Sequence, residues 1–265
     1  MIMEHLEQLI DTLHMEDLRN GAHPSIFDRN EGYDMLIVRL PEIGKGLEVI
    51  SLGFVITPTA GYFYNRDEER FELLGDRFEG PHSVIDRMTD RLLKGFLSYQ
   101  DVSADMEDAL YEDRTAEDFM TRWLGLKRDI LRIERVLLRT SAAMKEVIEA
   151  YEAVEAFPVN HYVDLHEHME RVVRSAALQL SKLDYLYNFY NARTSDKMNR
   201  MIYLLTVISA VFLPLNLLVG FFGMNTGGLP FAEGAAGTLK AVLLMLSLAV
   251  VTSLLFYLAR KRVEK

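Results

Sequence analysis

A row of residues near the C-terminal end falls at alternating steps of three and four: Asn199, Ile202, Thr206, Ser209, Leu213, Asn216 and Gly220. On a helix that spacing places them on one face. Most of the row lies within Met201 to Phe222, which carries no formal charge, so its polar members stand in an otherwise apolar run. A primary amide such as Asn216 turned toward hydrocarbon would lack hydrogen-bond partners, at a cost of several kcal/mol. It needs a neighbouring helix or water. A packing seam of small and polar residues satisfies the first need. A pore satisfies the second, with Ile202 and Leu213 as dry constrictions that gate by dewetting.

Gly223, Met224 and Asn225 follow directly. Gly223 fits a helix C-cap and leaves Asn225 free to turn toward the axis. Copies of Asn225 arranged by symmetry would present a ring of neutral amide oxygens. Such a ring meets a hard cation through the ion's own waters, and Mg²⁺ gives up its shell reluctantly. A carboxylate ring would hold the ion too tightly to release it. An isolated Gly-Met-Asn would read as an ordinary turn.

A second set lies in "HYVDLHEHMERV", where His161, Asp164 and His168 fall at i, i+3 and i+7 on one helix face. Imidazole nitrogens beside a carboxylate can hold Zn²⁺; a solvated polar face gives the same spacing. There is no cysteine, which excludes disulfides and thiolate metal sites. No phosphate loop is present, since "GKG" at 44–46 lacks the pattern. No nucleophile, base and oxyanion set stands out, so the chain is read as a non-enzyme. No nucleic-acid partner and no resident cofactor are expected.

The elements that must carry these residues divide the chain sharply. Its formal net charge is −10, from 39 acidic and 29 basic residues. All of these lie in the first 200 positions except Glu233, Lys240 and the tail residues Arg260, Lys261, Arg262, Glu264 and Lys265. Met201–Phe222 and Ala241–Ala259 are each long enough for a bilayer core, which needs roughly 20 helical residues. Pro214 would kink the first span or loosen one turn. Arg193, Lys197 and Arg200 precede the first span and the basic tail follows the second. Both ends are therefore expected on the cytoplasmic side, with the loop outside.

The soluble part reads as mixed. Tyr33–Leu40 and Leu47–Thr57 are strands, "GYFYN" a third, with Pro41, Gly44, Gly46, Pro58 and Gly61 as turns. The N-terminus, without a secretory signal, reads as one amphipathic helix with Leu6, Leu9, Ile10 and Leu13 on a side. Ser83 with Asp86, and Thr115 with Asp118, look like caps opening long helices, the second running to about Ala156. From about Asn160 to Phe222 nothing but Pro214 opposes one continuous helix. A single copy would leave its apolar stripe uncovered, so self-association is expected. The layout is a cytoplasmic α/β and helical domain (1–157), a stalk (158–200), a first span (201–222), an external loop (223–238), a second span (239–259) and a basic tail (260–265).

"YLLTVISAVFLPLNLLVGFFGMN" resembles the CorA-type divalent metal ion transporters, whose signature is Gly-Met-Asn at the end of the first of two C-terminal spans. Pro214 sits where that family has a proline, and "SDKMNRMIYLLT" is similar to its entry to span one, which puts Asn199 at the inner end of the pore. The likeness is specific across about 164–265. It implies an α+β membrane protein: a homopentameric funnel, an N-terminal α/β cytoplasmic domain, and a stalk continuing into a pore-lining helix. It also implies passive flow of hydrated divalent cations, Mg²⁺ first, with Co²⁺, Ni²⁺ and Zn²⁺. Asp164 matches a family aspartate that binds regulatory Mg²⁺ at subunit interfaces. The loop "TGGLPFAEG" is closer to the zinc-transporting ZntB branch than to magnesium importers. Yet neither span nor loop supplies the nitrogen or sulfur ligands that Zn²⁺ prefers. No energy source beyond the membrane potential is required, because each charge crossing 100 mV is worth about 2.3 kcal/mol. Proton-coupled Zn²⁺ transport and a non-conducting membrane-anchored sensor or scaffold are the alternatives.

Overall fold

The structure is a computed structural model that describes residues 2–114, 117–224 and 236–263. It divides into two compact units, 1–188 and 189–265.

Unit one is built around a five-stranded antiparallel meander in the order β1-β2-β3-β4-β5. The strands are β1 (Ile26–Arg29), β2 (Asp34–Ile43), β3 (Leu47–Ile56), β4 (Gly61–Asn65) and β5 (Arg70–Gly75). β2 and β3 pair along their whole length, from Asp34 opposite Ile56 to Ile43 opposite Leu47. Gly44–Gly46 turns the hairpin, and the Gly44 amide donates to the Gly46 carbonyl at 3.1 Å. Pro41, expected in a turn, instead lies inside β2 opposite Val49. The three central strands fall where the alternation of apolar residues puts them. β1 and β5 were not foreseen.

Both faces of the sheet are covered. Met35 and Ile37 of β2 and Val55 of β3 pack with Leu6, Ile10, Met15 and Leu18 from the N-terminal helices. Because side chains alternate along a strand, Leu36, Val38 and Leu40 point the other way, and all three are fully buried. That second face receives α3 (Glu79–Tyr111) and α4 (Phe119–Tyr151). The sheet being wholly antiparallel, this unit is α+β.

The expected single N-terminal helix is two, α1 (Ile2–Leu9) and α2 (Thr12–Arg19). Asp11 breaks it: its Oδ1 accepts the Leu13 amide at 2.8 Å and caps the second helix. The break buries Leu6 and Ile10 but leaves Leu9 and Leu13 exposed. Ser83 is likewise not a cap. It sits inside α3, its hydroxyl donating back to the Glu79 carbonyl at 2.7 Å. The helix starts at Glu79, and in the turn before it Asp76 Oδ1 accepts the amides of Phe78 and Glu79, both at 2.9 Å. Those bonds hold its carboxyl below the usual carboxylate range. Gly80 lets this first turn lie against β5, since a Cβ there would stand 2.6 Å from Leu74 Cβ and 3.0 Å from its carbonyl oxygen. Thr115 lies outside the described residues, Asp118 makes no side-chain cap, and α4 ends at Tyr151 instead of near Ala156.

α5 runs from Val159 to Phe222, 64 residues with Pro214 inside it. Its first half belongs to unit one, where Tyr162, Leu165, Met169, Val172, Ala176, Leu183 and Leu186 form its buried stripe. Unit two holds the rest of α5 and α6 (Gly237–Val263).

Candidate functional site

The unit-two part of α5 carries the polar row. Asn199, Ile202, Thr206, Leu213, Asn216 and Gly220 are exposed, and Ser209 is half-buried. The Thr206 hydroxyl donates to the Ile202 carbonyl at 2.8 Å, so that side chain is satisfied within its own helix. Asn216 is exposed within the apolar run. Nothing lies within 4 Å of a Cβ added at Gly220, so the row is open there. Pro214 lacks an amide hydrogen, which leaves the Ala210 carbonyl without its helical donor. α5 is long and apolar enough to cross a membrane, and its most apolar stretch is 0% buried within the chain. That stretch, unlike the first half of α5, is not packed into a core among the described residues. Val242–Leu254 of α6 is a shorter apolar stretch.

α5 ends at Phe222, so Gly223 stands directly after it at the expected closing position. The Gly223 amide still donates to the Val219 carbonyl at 2.9 Å, continuing the helical pattern one residue past Phe222. Among the described residues only Gly32 and Gly75 are glycines with positive φ, so Gly223 does not take the left-handed conformation of a glycine C-cap. Met224 is exposed. Asn225 lies outside the described residues, as does the loop through 235.

The second expected site is divided in two. His161, Asp164 and His168 share a face of α5, but the histidines reach different partners on α3. His161 Nδ1 lies 3.0 Å from Glu79 Oε1, and its ring centroid lies 5.4 Å from that of His82. One ligand atom each from Glu79, His82 and His161 fall within 4.8 Å of one another. Asp86, Asp90 and His168 form a second such group. Asp164 belongs to neither; it is mostly exposed and its Oδ1 stands 3.7 Å from His168 Nε2. The ladder on α3, Glu79, His82, Asp86 and Asp90, steps by three and four and runs in the same direction as 161–168 on α5. Starting the helix at Ser83 hid it. Its spacing from the preceding Asp76 cap was the signal available.

The frame behind the first group is firm. Tyr162, fully buried, donates from Oη to the Phe78 carbonyl at 2.8 Å. Burial pushes its phenol up from the ordinary value. Phe78, Tyr151, Phe157 and Tyr162 pack edge-to-face or tilted around this bond, with ring centroids 4.8–5.5 Å apart. His82 Nε2 lies 3.2 Å from the His161 carbonyl, and in the tautomer that donates there Nδ1 keeps the free lone pair. Two nitrogens and one carboxylate make a donor set suited to Zn²⁺, with a fourth position for water. Mg²⁺, which takes oxygen ligands in near-ideal octahedra, fits it poorly.

Comparison with known proteins gives the following. The family model described as CorA-like Mg2+ transporter protein matches residues 68–262. The zinc transport protein ZntB of Vibrio parahaemolyticus is 22% identical over 158 residues, 59% of this chain and 50% of that protein. The divalent cation transporter CmaX of Pseudomonas aeruginosa is 26% identical over 172 residues, 62% of this chain and 48% of that protein. This chain thus spans about half the length of the curated relatives it matches. The solved structure of full-length CmaX superposes with a TM-score of 0.73 at 19% identity, covering 95% of this chain and 82% of that one. The CorA magnesium transporter from Methanocaldococcus jannaschii gives 0.66 at 15% identity, covering 95% and 84%. At these identities the structural likeness concerns the fold.

Proposed function

This chain belongs to the CorA-like Mg2+ transporter family, and on that premise we propose that it carries divalent metal cations across a membrane through a pore formed by several copies of α5. The observation that carries the reading is the row from Asn199 to Gly220, polar and open on a helix long enough to span a bilayer. In this reading α5 and α6 both cross the membrane, unit one and both chain ends lie in the cytoplasm, and the copies form a homopentamer. Gly223, Met224 and Asn225 form the outer mouth, where the Asn225 amide oxygens meet the ion's waters. The membrane potential supplies the drive.

The ion is a finer question. A hydrated Mg²⁺ suits a neutral oxygen ring, and Co²⁺, Ni²⁺ and Zn²⁺ share its charge. One observation favours a zinc-class ion as regulator: the His82–His161 group and the His168 group both offer nitrogen. Both lie on α3 and on the same helix that carries the pore row, so a metal held there acts on the element that lines the pore. Proton-coupled Zn²⁺ transport, as a ZntB-like reading, differs only in needing a pH gradient. A membrane-anchored scaffold would conduct nothing.

The absence of cysteine offers a direct test of the pore row. Single cysteines placed from 199 to 220 and exposed to a charged, water-soluble thiol reagent should react at 199, 202, 206, 209, 213, 216 and 220. Intervening positions should stay protected. Uniform protection, or reaction along a different face, would rule out the proposed lining.

A further inference from the structure

Three arginines without ion-pair partners converge on one pocket between β2 and α4. Pro24, Ser25, Arg39, Arg135, Val136 and Arg139 line a cavity of about 300 Å³. Among the described residues none of the three arginines forms an ion pair, whereas Arg91, Lys127 and Arg128 do. This is unexpected in a chain with 39 acidic residues. Arg135 and Arg139 stand one turn apart on α4, where like charges repel.

Arg39 is held in place by its backbone. The Thr140 hydroxyl donates to the Arg39 carbonyl at 2.6 Å, which leaves the Ser25 hydroxyl to donate to Thr140 at 2.8 Å. The Arg39 amide closes the circuit on Ser25 Oγ at 2.9 Å. On its side chain, Nη1 donates to the Ala22 carbonyl at 3.3 Å, while Nε is buried with no partner. A buried guanidinium donor left unpaired is a cost that an acceptor in the pocket would remove.

We propose that this pocket binds the phosphate group of a small anion. Guanidinium forks match phosphate oxygens in pairs, and three of them offset a multiply charged group. The volume lies at the small end for ligand sites, enough for the phosphate part of a larger molecule. Arg135 also lines an adjoining open groove along α4 with Lys127, Arg128 and Arg132. That continuity favours two linked phosphates over one. The site is independent of the transport reading, because binding is scored without flux.

The test is titration of pyrophosphate into the 265-residue chain in detergent, metal-free and at fixed ionic strength, followed by calorimetry and thermal unfolding. Saturable binding with a raised unfolding temperature is expected. Arg135→Gln with Arg139→Gln should weaken it at least about tenfold, and the matching double lysine variant should recover part. Arg39 is left intact because its backbone bonds hold β2. A second arm uses vesicles with and without phosphatidic acid. Vesicle binding that pyrophosphate displaces assigns the phosphate to a lipid headgroup; pyrophosphate binding alone assigns it to a soluble anion. No saturable binding in either arm, or binding unchanged in the glutamine variant, would overturn the proposal. So would a glutamine variant that alters only particle mass, because the arginines would then face carboxylates of another copy.

Discussion

Tyr162 Oη and the carbonyl of Phe78, 84 residues apart in sequence, form a fully buried hydrogen bond of 2.8 Å that pins the start of α5 to the start of α3. The candidate ligand groups Glu79, His82, His161 and Asp86, Asp90, His168 lie along the same pair of helices. Tyr162→Phe keeps the ring packing and removes one of two donors to the Phe78 carbonyl, which retains the His82 amide at 3.1 Å, a loss of about 0.5–1.5 kcal/mol. The expected outcome is a lower denaturant midpoint at unchanged slope. The phenol's raised pKa adds a pH signature. Its contribution is fully present below the ordinary tyrosine pKa near ~10 and is lost as pH rises through the higher folded value. The phenylalanine variant should lack that alkaline component.

Asp76 works in the opposite direction. Its two amide bonds depress its folded pKa, so its stabilisation is present above the ordinary aspartate value near ~4 and fades as pH falls through the folded one. Asp76→Ala should cost about 1 kcal/mol at neutral pH. The difference from the parent protein should shrink as the solution is acidified. Equal differences at pH ~7 and ~2 would contradict the capping role.

The histidines should behave as two sites. Zn²⁺ titration of the parent chain is expected to show two classes of binding. His161→Ala should remove one class and His168→Ala the other. At a hundredfold excess over Kd each intact site would stabilise the fold by about 2.7 kcal/mol. A single shared site on α5 would instead lose all binding with either substitution.

Asn216→Leu should leave expression and unfolding of unit one unchanged while reducing metal flux, because it lines the proposed path with one more apolar side chain per copy. Unchanged flux would assign the row to a packing seam.

What could be read in advance follows the strength of the local physics. β2 and β3 show because long apolar alternation bounded by glycines has few other solutions. α5 shows because its only helix-breaking residue is Pro214. β1 is four residues with one buried side chain, Phe27, and its pairing to β2 comes from tertiary context. The N-terminal helix breaks because Asp11 prefers a cap to continued helix. That choice is settled by Tyr33, whose hydroxyl also accepts the Asp11 amide at 2.9 Å. His161 and His168 both lie on α5 and reach α3. Their division between two groups comes from α3, whose start at Glu79, four residues before Ser83, brings in Glu79 and His82. Gly223 follows the last residue of α5 as its type suggests, closing the helix without a positive φ.

The central claim is that copies of this chain conduct divalent cations past Asn225. Purified protein reconstituted into liposomes with an internal Mg²⁺- or Zn²⁺-sensitive dye tests it most directly, under an inside-negative potential and no pH gradient. The account predicts potential-dependent metal entry that Asn225→Ala abolishes or greatly slows. No entry of any divalent ion, or entry unchanged by that substitution, would contradict it.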